Sequence, residues 1–324
     1  MNVNSSGLLV PGSGFFTRLH ALQSGESDRS LREAVRDGLL VRLRHGAYAF
    51  ADQHTALDDA GRHLLLARAA VDAQQGRVAL TGPSAALLHG LDVWGQDLSV
   101  VHLLRLDPAP TRRQAGVVHH AHTAARVAYV RCYDGVPAVS PARAAWEVAR
   151  LSGLESAVVT LDSALRRHPG SIDVLHDLAR RQASHPHSRT ARLALRLARG
   201  QAESVGESLT RMACYRAGIP EPTLQYEVCN EAGRLLGRAD FYWERHRHLG
   251  EFDGRIKYER LLKPGQTVTD AVLGEKQRED EMRGTERGMT RFIWSGVLPG
   301  STDRAMAGLA RDLDRSYTLY VRGR

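Results

Sequence analysis

Residues Asp28–Phe50, DRSLREAVRDGLLVRLRHGAYAF, change their hydrophobic period midway, and that change sets the fold of the N-terminal part. Leu31, Ala34 and Val35 recur at helical spacing, so Arg29 to Asp37 reads as a helix with that inner face and Asp28 as its cap. Gly38 stands where a helix commonly ends in a residue of positive φ. Leu39–Leu43 then runs as a strand into Arg44-His45-Gly46, and Ala47–Phe50 returns as its partner. Upstream, Phe15–Leu22 has the apolar spacing of a further helix that stops near Gly25. Two helices, a strand, a basic turn and a returning strand describe a winged helix-turn-helix. Its second helix would expose Arg29, Ser30, Arg32, Glu33 and Arg36 to a major groove. Arg42, Arg44 and His45 would lie on the wing against phosphate. A small helical cap with solvated arginines is the alternative.

The rest of the chain fits a DNA-binding expectation by charge. Its 324 residues carry 44 Lys+Arg against 36 Asp+Glu, a net charge of +8. Up to residue 202 there are 24 basic and 17 acidic residues, and from 203 onward 20 and 19, so the excess lies in the N-terminal two-thirds. All three lysines, Lys257, Lys263 and Lys276, fall within 20 residues of one another. Hydrophobic residues at 43% and charged residues at 25% exclude a largely disordered or collagen-like chain. No apolar run reaches the roughly 18–20 residues of a membrane span, and Met1–Gly14 lacks the pattern of a secretory signal. Cys132, Cys214 and Cys229 form no CxxC pair, which argues against a disulfide scaffold or a cysteine zinc site. A cytoplasmic protein without membrane contact is expected. At about 100–200 residues per domain, the length suits two or three domains. The boundaries read from the sequence are 1–54, 55–200 and 201–324.

Residues 55–200 alternate helices and short strands and are chemically quiet. Helices are expected at Asp58–Gln74, from Pro83, at Ser140–Leu151, and at 155–166, 171–183 and 188–200. Strands are expected at Val78–Leu80, Ser99–Leu104, Gly116–His122 and Ala128–Tyr133. His119, His120 and His122 lie on such a strand with no carboxylate or cysteine nearby in sequence, which favours a surface or half-buried strand over a metal site. Arg189, Arg192, Arg196 and Arg199 repeat at spacings of three and four, one helical stripe. A solvated face is the default reading of that stripe, and a phosphate-tracking one the functional alternative.

Residues 235–254 carry the chemistry-bearing pattern. Leu235–Trp243 reads as a strand, Glu244–His248 as a polar turn and Leu249–Gly254 as the return strand. With the turn centred between Arg245 and His246, Asp240 faces Glu251, and Asp253 shares that side two residues on. Three carboxylates on one patch repel unless a cation sits among them. Hard oxygen donors suit Mg²⁺ or Mn²⁺, which would polarise a phosphodiester and activate water. The alternative is a surface hairpin whose acids are neutralised by Arg238 and Arg255. Glu207 has a local explanation as well, because Ser204-x-x-Glu207 is a capping box.

Two family resemblances follow from these residues. Glu203–Arg211, Gly237–Phe241, Gly250–Gly254, Lys257-Tyr258 and Glu275–Asp280 resemble the restriction-endonuclease-like PD-(D/E)XK core, most closely its very-short-patch-repair-like branch. The resemblance implies that Glu207 is the helix acid, that Asp240 and Glu251 bind metal, and that a basic residue assists. Where the core pattern has lysine two after Glu251, this chain has Asp253; Lys257 and Lys276 are the candidates to supply it. The N-terminal two-thirds is similar to AbiEi-like antitoxins of type IV toxin–antitoxin systems. The matching segments are Leu31–Tyr48, Ser84–Gly90 and Val139–Arg143.

The expected architecture is multi-domain α/β: an N-terminal winged helix-turn-helix, a mixed α/β middle domain, and a restriction-endonuclease-like α/β/α domain with a C-terminal helix. Three functional readings compete. The first is a Mg²⁺-dependent DNA endonuclease; the second is an AbiEi-type antitoxin or transcriptional repressor whose nuclease-like domain is inactive and serves as a scaffold. Double-stranded DNA is the partner in both. The third, without DNA, is a protein-interaction module that neutralises a cognate toxin through the middle domain.

Overall fold

The computed structural model describes residues 14–123, 127–254, 282, 284–298 and 300–322. It is a mixed α/β protein of two compact units, Met1–Arg196 and Leu197–Arg324. No described helix is long and apolar enough to cross a membrane.

In the first unit, β1 (Phe16–Thr17), β2 (Leu40–Arg44) and β3 (Ala47–Phe50) form a three-stranded sheet in the order β1-β3-β2. Helices α1 (Arg18–Gln23) and α2 (Asp28–Arg36) lie beside it. The first helix starts later than its apolar spacing suggests. Phe16 and Thr17 pair with Tyr48 and Ala47, and the Thr17 hydroxyl caps α1 by accepting from the His20 N–H. Alternation along β3 gives this sheet two buried faces. Phe16 and Phe50 join Ala21, Leu31, Ala34 and Leu40 in one cluster under the helices. Ala47 and Ala49 join Phe15, Leu65 and Ala69 in another.

Leu65 and Ala69 belong to α4 (Asp59–Asp72), which follows the short α3 (Ala51–Ala56). The second cluster therefore spans the boundary expected at 54/55, and the N-terminal sheet and the α/β region share one core. Small alanines at 47, 49 and 69 permit that close approach.

The larger sheet has the order β6-β7-β5-β4-β9-β8, built from β4 (Val78–Leu80), β5 (Val101–Arg105), β6 (Arg112–Gln114), β7 (Val117–His120), β8 (Val130–Tyr133) and β9 (Val136–Val139). Helices α5 (Gly82–Leu88), α6 (Pro141–Leu151) and α7 (Leu154–Arg167) pack in succession, followed by α8 (Ser171–Arg181) and α9 (Ser188–Leu197). A buried ion pair ties α6 to the start of α5. Arg143 Nε donates to Glu147 Oε1 at 2.8 Å, both side chains being 3% exposed. Glu147 Oε2 accepts from the Gly82 N–H at 3.0 Å and from the Thr81 hydroxyl.

The second unit has helix α10 (Val205–Arg216) and a four-stranded sheet in the order β10-β11-β12-β13: β10 (Thr223–Cys229), β11 (Leu235–Trp243), β12 (His248–Phe252) and β13 (Gly288–Phe292). The first three strands are antiparallel, and β12 pairs with β13 in parallel. The short α11 (Trp294–Val297) and then α12 (Thr302–Tyr317) follow. The β11–β12 register is the one the turn implies, with Phe241 opposite Gly250 and Tyr242 opposite Leu249. Glu244–His246 forms a 3-10 turn closed by Arg247 at φ +47.

Candidate nucleic-acid interface and carboxylate centre

Helix α2 is fixed at its start by Ser27, not by Asp28. The Ser27 hydroxyl accepts from the Ser30 N–H at 3.0 Å, and the Ser30 hydroxyl accepts from the Ser27 N–H at 2.9 Å. Ser30 also donates to Glu26 at 2.6 Å, so its hydroxyl is committed to the cap and is not presented as a base reader. Asp28, one residue into the helix, receives Arg18 in a bidentate pair at 2.6 Å on both arms. The Arg18 guanidinium holds the Asp28 carboxyl below the usual carboxylate range. This pair links α1 to α2.

Arg29, Arg32 and Arg36 are all exposed along α2. Arg29 pairs with Glu33 at 2.9 Å and Arg36 with Asp37 at 3.0 Å, whereas no ion pair holds Arg32 among the described residues. Exposed pairs of this kind exchange readily for phosphate, because water and salt already screen them. On the turn, Arg42 donates to His45 Nδ1 at 3.0 Å and both are exposed. Arg44 differs from the expectation. Its Nε and Nη1 are buried and have no hydrogen-bond acceptor among the described residues. A register shift between Arg42 and Arg44 places Arg44 opposite Ala47, on the inner face of the small sheet.

In the second unit Glu207 is 2% exposed in the first turn of α10. Its Oε2 accepts from the Glu203 N–H and from Gln225 Nε2, each at 2.8 Å, and its Oε1 accepts from the Ser204 hydroxyl at 2.8 Å. Burial first, and then the nearby charge of Asp240, raise its pKa above the ordinary glutamate value. Extending the β11–β12 register by one residue sets Asp240 opposite Glu251, and Asp240 Oδ2 accepts from the Phe252 N–H at 2.8 Å. Glu251 is 8% exposed on β12. Opposite it on β13 stands Arg291, whose guanidinium lies 3.7 Å from Glu251 Oε2 and 3.7 Å from Asp253 Oδ2.

Glu207 and Asp240 thus share one field, while Glu251 and Asp253 share Arg291. Among the described residues no three His, Cys, Asp or Glu side chains converge as a metal set. The described donors do not by themselves fit a Mg²⁺ or Mn²⁺ cage, which calls for about six oxygens including several from carboxylate or water. Of the two arginines expected to relieve the acids, Arg238 instead pairs with Glu203 at 2.7 Å, and Arg255 lies outside the described residues. Lys257 and Lys276 lie outside them as well. Arg291 and Gln225 were not foreseen. The alternation Met289–Arg291 in a short apolar strand was the only signal for Arg291, and nothing local marks Gln225.

Residues 12–51 match the family model described as "Transcriptional regulator, AbiEi antitoxin". Two curated relatives, the uncharacterized proteins MT2308 and Rv2248 from two strains of Mycobacterium tuberculosis, are each 30% identical over 261 residues. The match covers 76% of this chain and 90% of each relative. The crystal structure of the RV2827C protein from Mycobacterium tuberculosis aligns over 67% of this chain and 79% of its own, at 22% identity and a TM-score of 0.37. Residues 12–51 are thus similar to the AbiEi antitoxin regulators, and the chain as a whole belongs to the family of MT2308 and Rv2248.

Proposed function

We propose that this protein is a duplex-DNA-binding transcriptional regulator of the AbiEi antitoxin kind, with residues 16–50 acting as a winged helix-turn-helix. The observation that carries the reading is the exposed row Arg29, Arg32 and Arg36 on α2, inside the segment that matches the regulator family. The nine residues of α2 span about 13 Å at 1.5 Å per residue, close to the width of a major groove. Arg32 and Arg36 read or brace the groove, and Arg42 and His45 meet the flanking phosphates from the turn. Arg18 and Asp28 link α2 to α1. A cognate toxin is the protein partner that an antitoxin implies.

In the same reading the second unit is a restriction-endonuclease-like scaffold, supported by its strand order and by α10 presenting Glu207 to Asp240. Phosphodiester hydrolysis there is the second reading. The shared field of Glu207 and Asp240 favours it; the two described acids held by Arg291 oppose it. Fluorescence anisotropy with duplex DNA tests the first reading. Arg32→Ala with Arg36→Ala should weaken binding by at least tenfold, and an unchanged Kd would reject α2 as the reader.

A further inference from the structure

Arg44 poses a problem that the winged-helix reading does not resolve. A guanidinium keeps its charge at any relevant pH, and a buried one needs acceptors for its N–H groups. Arg44 Nε and Nη1 are buried and find none among the described residues. Burial lowers the pKa of this arginine, and no carboxylate among the described residues offsets it.

A histidine is in the same condition. His119 is 4% exposed, and its Nδ1 is buried with no hydrogen bond among the described residues. It lies on β7, opposite Arg112 of the edge strand β6 and beside Leu103 of β5. Arg105 lies two residues beyond Leu103 on the same face. Burial first, and then the nearby charges of Arg112, Arg105 and Arg44, lower the pKa of the His119 imidazole. The acid at this spot is Asp107, and Arg105 already engages both of its oxygens. Arg77 acts on Asp107 as well. Arg112 is exposed and has no ion pair among the described residues, so the cluster opens to solvent at the sheet edge.

We propose that Arg44, Arg112 and His119, flanked by Arg105, form a phosphate-group site where the small sheet meets the edge of the large one. A tetrahedral oxyanion supplies several acceptors to one place. One of its oxygens suits Arg44 Nε or Nη1, and another can take the His119 Nδ1–H, with Arg112 closing the open side. A phosphate in this position would come either from the backbone of bound duplex or from a free phosphorylated compound. Only the first source rests on the DNA-binding reading.

The test uses the full chain, its Arg44→Met and Arg112→Gln variants, and inorganic phosphate as the probe at constant ionic strength. Calorimetry or ³¹P line broadening should show phosphate binding to wild type that is at least tenfold weaker in each variant. Arg44→Met should melt no lower than wild type without phosphate, since it removes a buried charge and keeps the aliphatic volume. In the duplex arm, a loss of affinity in Arg112→Gln with a salt slope smaller by about one unit, and competition by phosphate, assigns the site to the DNA backbone. Phosphate binding with duplex affinity unchanged assigns it to a free anion. Variants indistinguishable from wild type in both arms overturn the site. The α2 variants separate the two claims, because Arg32→Ala with Arg36→Ala should leave phosphate binding intact.

Discussion

Replacing Gly206 by alanine tests the packing that holds the carboxylates of the second unit. A Cβ at this position would lie 2.0, 2.2 and 2.4 Å from Cε1, Cζ and Cδ1 of Phe252. Ordinary carbon contacts lie near 3.5–4 Å, so either the ring retreats by about 1.5 Å or α10 lifts. The ring is 6% exposed and meets Trp294 edge-on at 5.1 Å between centroids. The Phe252 N–H is donated to Asp240, so the strain reaches the strand end that carries Glu251 and Asp253. Overpacking costs about 1–3 kcal/mol, and removing a helical glycine returns about 1 kcal/mol. An overlap this deep adds ring displacement to the overpacking, which leaves a net loss of about 2 kcal/mol. At about 4 °C per kcal/mol for a unit of this size, the Tm should fall by about 8 °C. Thermal melts followed by circular dichroism measure it, with Phe252→Leu as the second arm of a cycle. That change alone should cost about 1 kcal/mol, and the double variant less than the sum of the two singles. Strictly additive costs, or a Gly206→Ala protein as stable as wild type, would refute the close approach of helix and ring.

Three further outcomes follow from the geometry. Because the folded pKa of Glu207 is raised, its contribution to stability is full below the ordinary value of 4.5 and is lost as pH rises through the folded value. Glu207→Gln should therefore flatten the pH dependence of Tm and gain most, relative to wild type, at neutral pH; a variant gap independent of pH would contradict this. Arg143→Met, which removes the cation held 2.8 Å from Glu147, should cost about 3–5 kcal/mol in urea unfolding of the first unit, and a cost below 1 kcal/mol would show that Glu147 is well solvated. Titration with Mn²⁺ should leave the Tm unchanged, whereas a rise abolished by Asp240→Asn would establish a metal centre completed by residues beyond the described set.

What the sequence made legible follows burial. The run Leu39–Phe50 and the strand Leu235–Trp243 showed themselves because each alternates or packs on one apolar face, and their turns at Gly46 and Arg245-His246 fixed the register. Strand β6 was missed: Arg112–Gln114 is exposed throughout and has no apolar alternation to betray it. Strand β9 was missed because four residues containing Pro137 read as a loop, although three of them are buried. The helix cap was misplaced by one residue, since Ser27 and Asp28 are both good caps and only the Ser30 side chain decides between them. The three carboxylates were read from strand periodicity alone. Arg291 comes from a parallel strand nearly 40 positions later, and no local pattern predicts that it neutralises Glu251 and Asp253. Nor does composition reveal that Arg44 turns inward, because a single-residue register shift decides its face.

The measurement that bears most directly on the DNA-binding account is duplex affinity as a function of salt for wild type and for Arg32→Ala with Arg36→Ala. Each phosphate contact contributes about 0.9 to the slope of log K against log salt. If both arginines meet the duplex as α2 displays them, the slope should fall by about 1 to 2 units, with weaker binding on every sequence tested. Equal slopes and equal affinities in the two proteins would contradict the account and remove α2 from the interface.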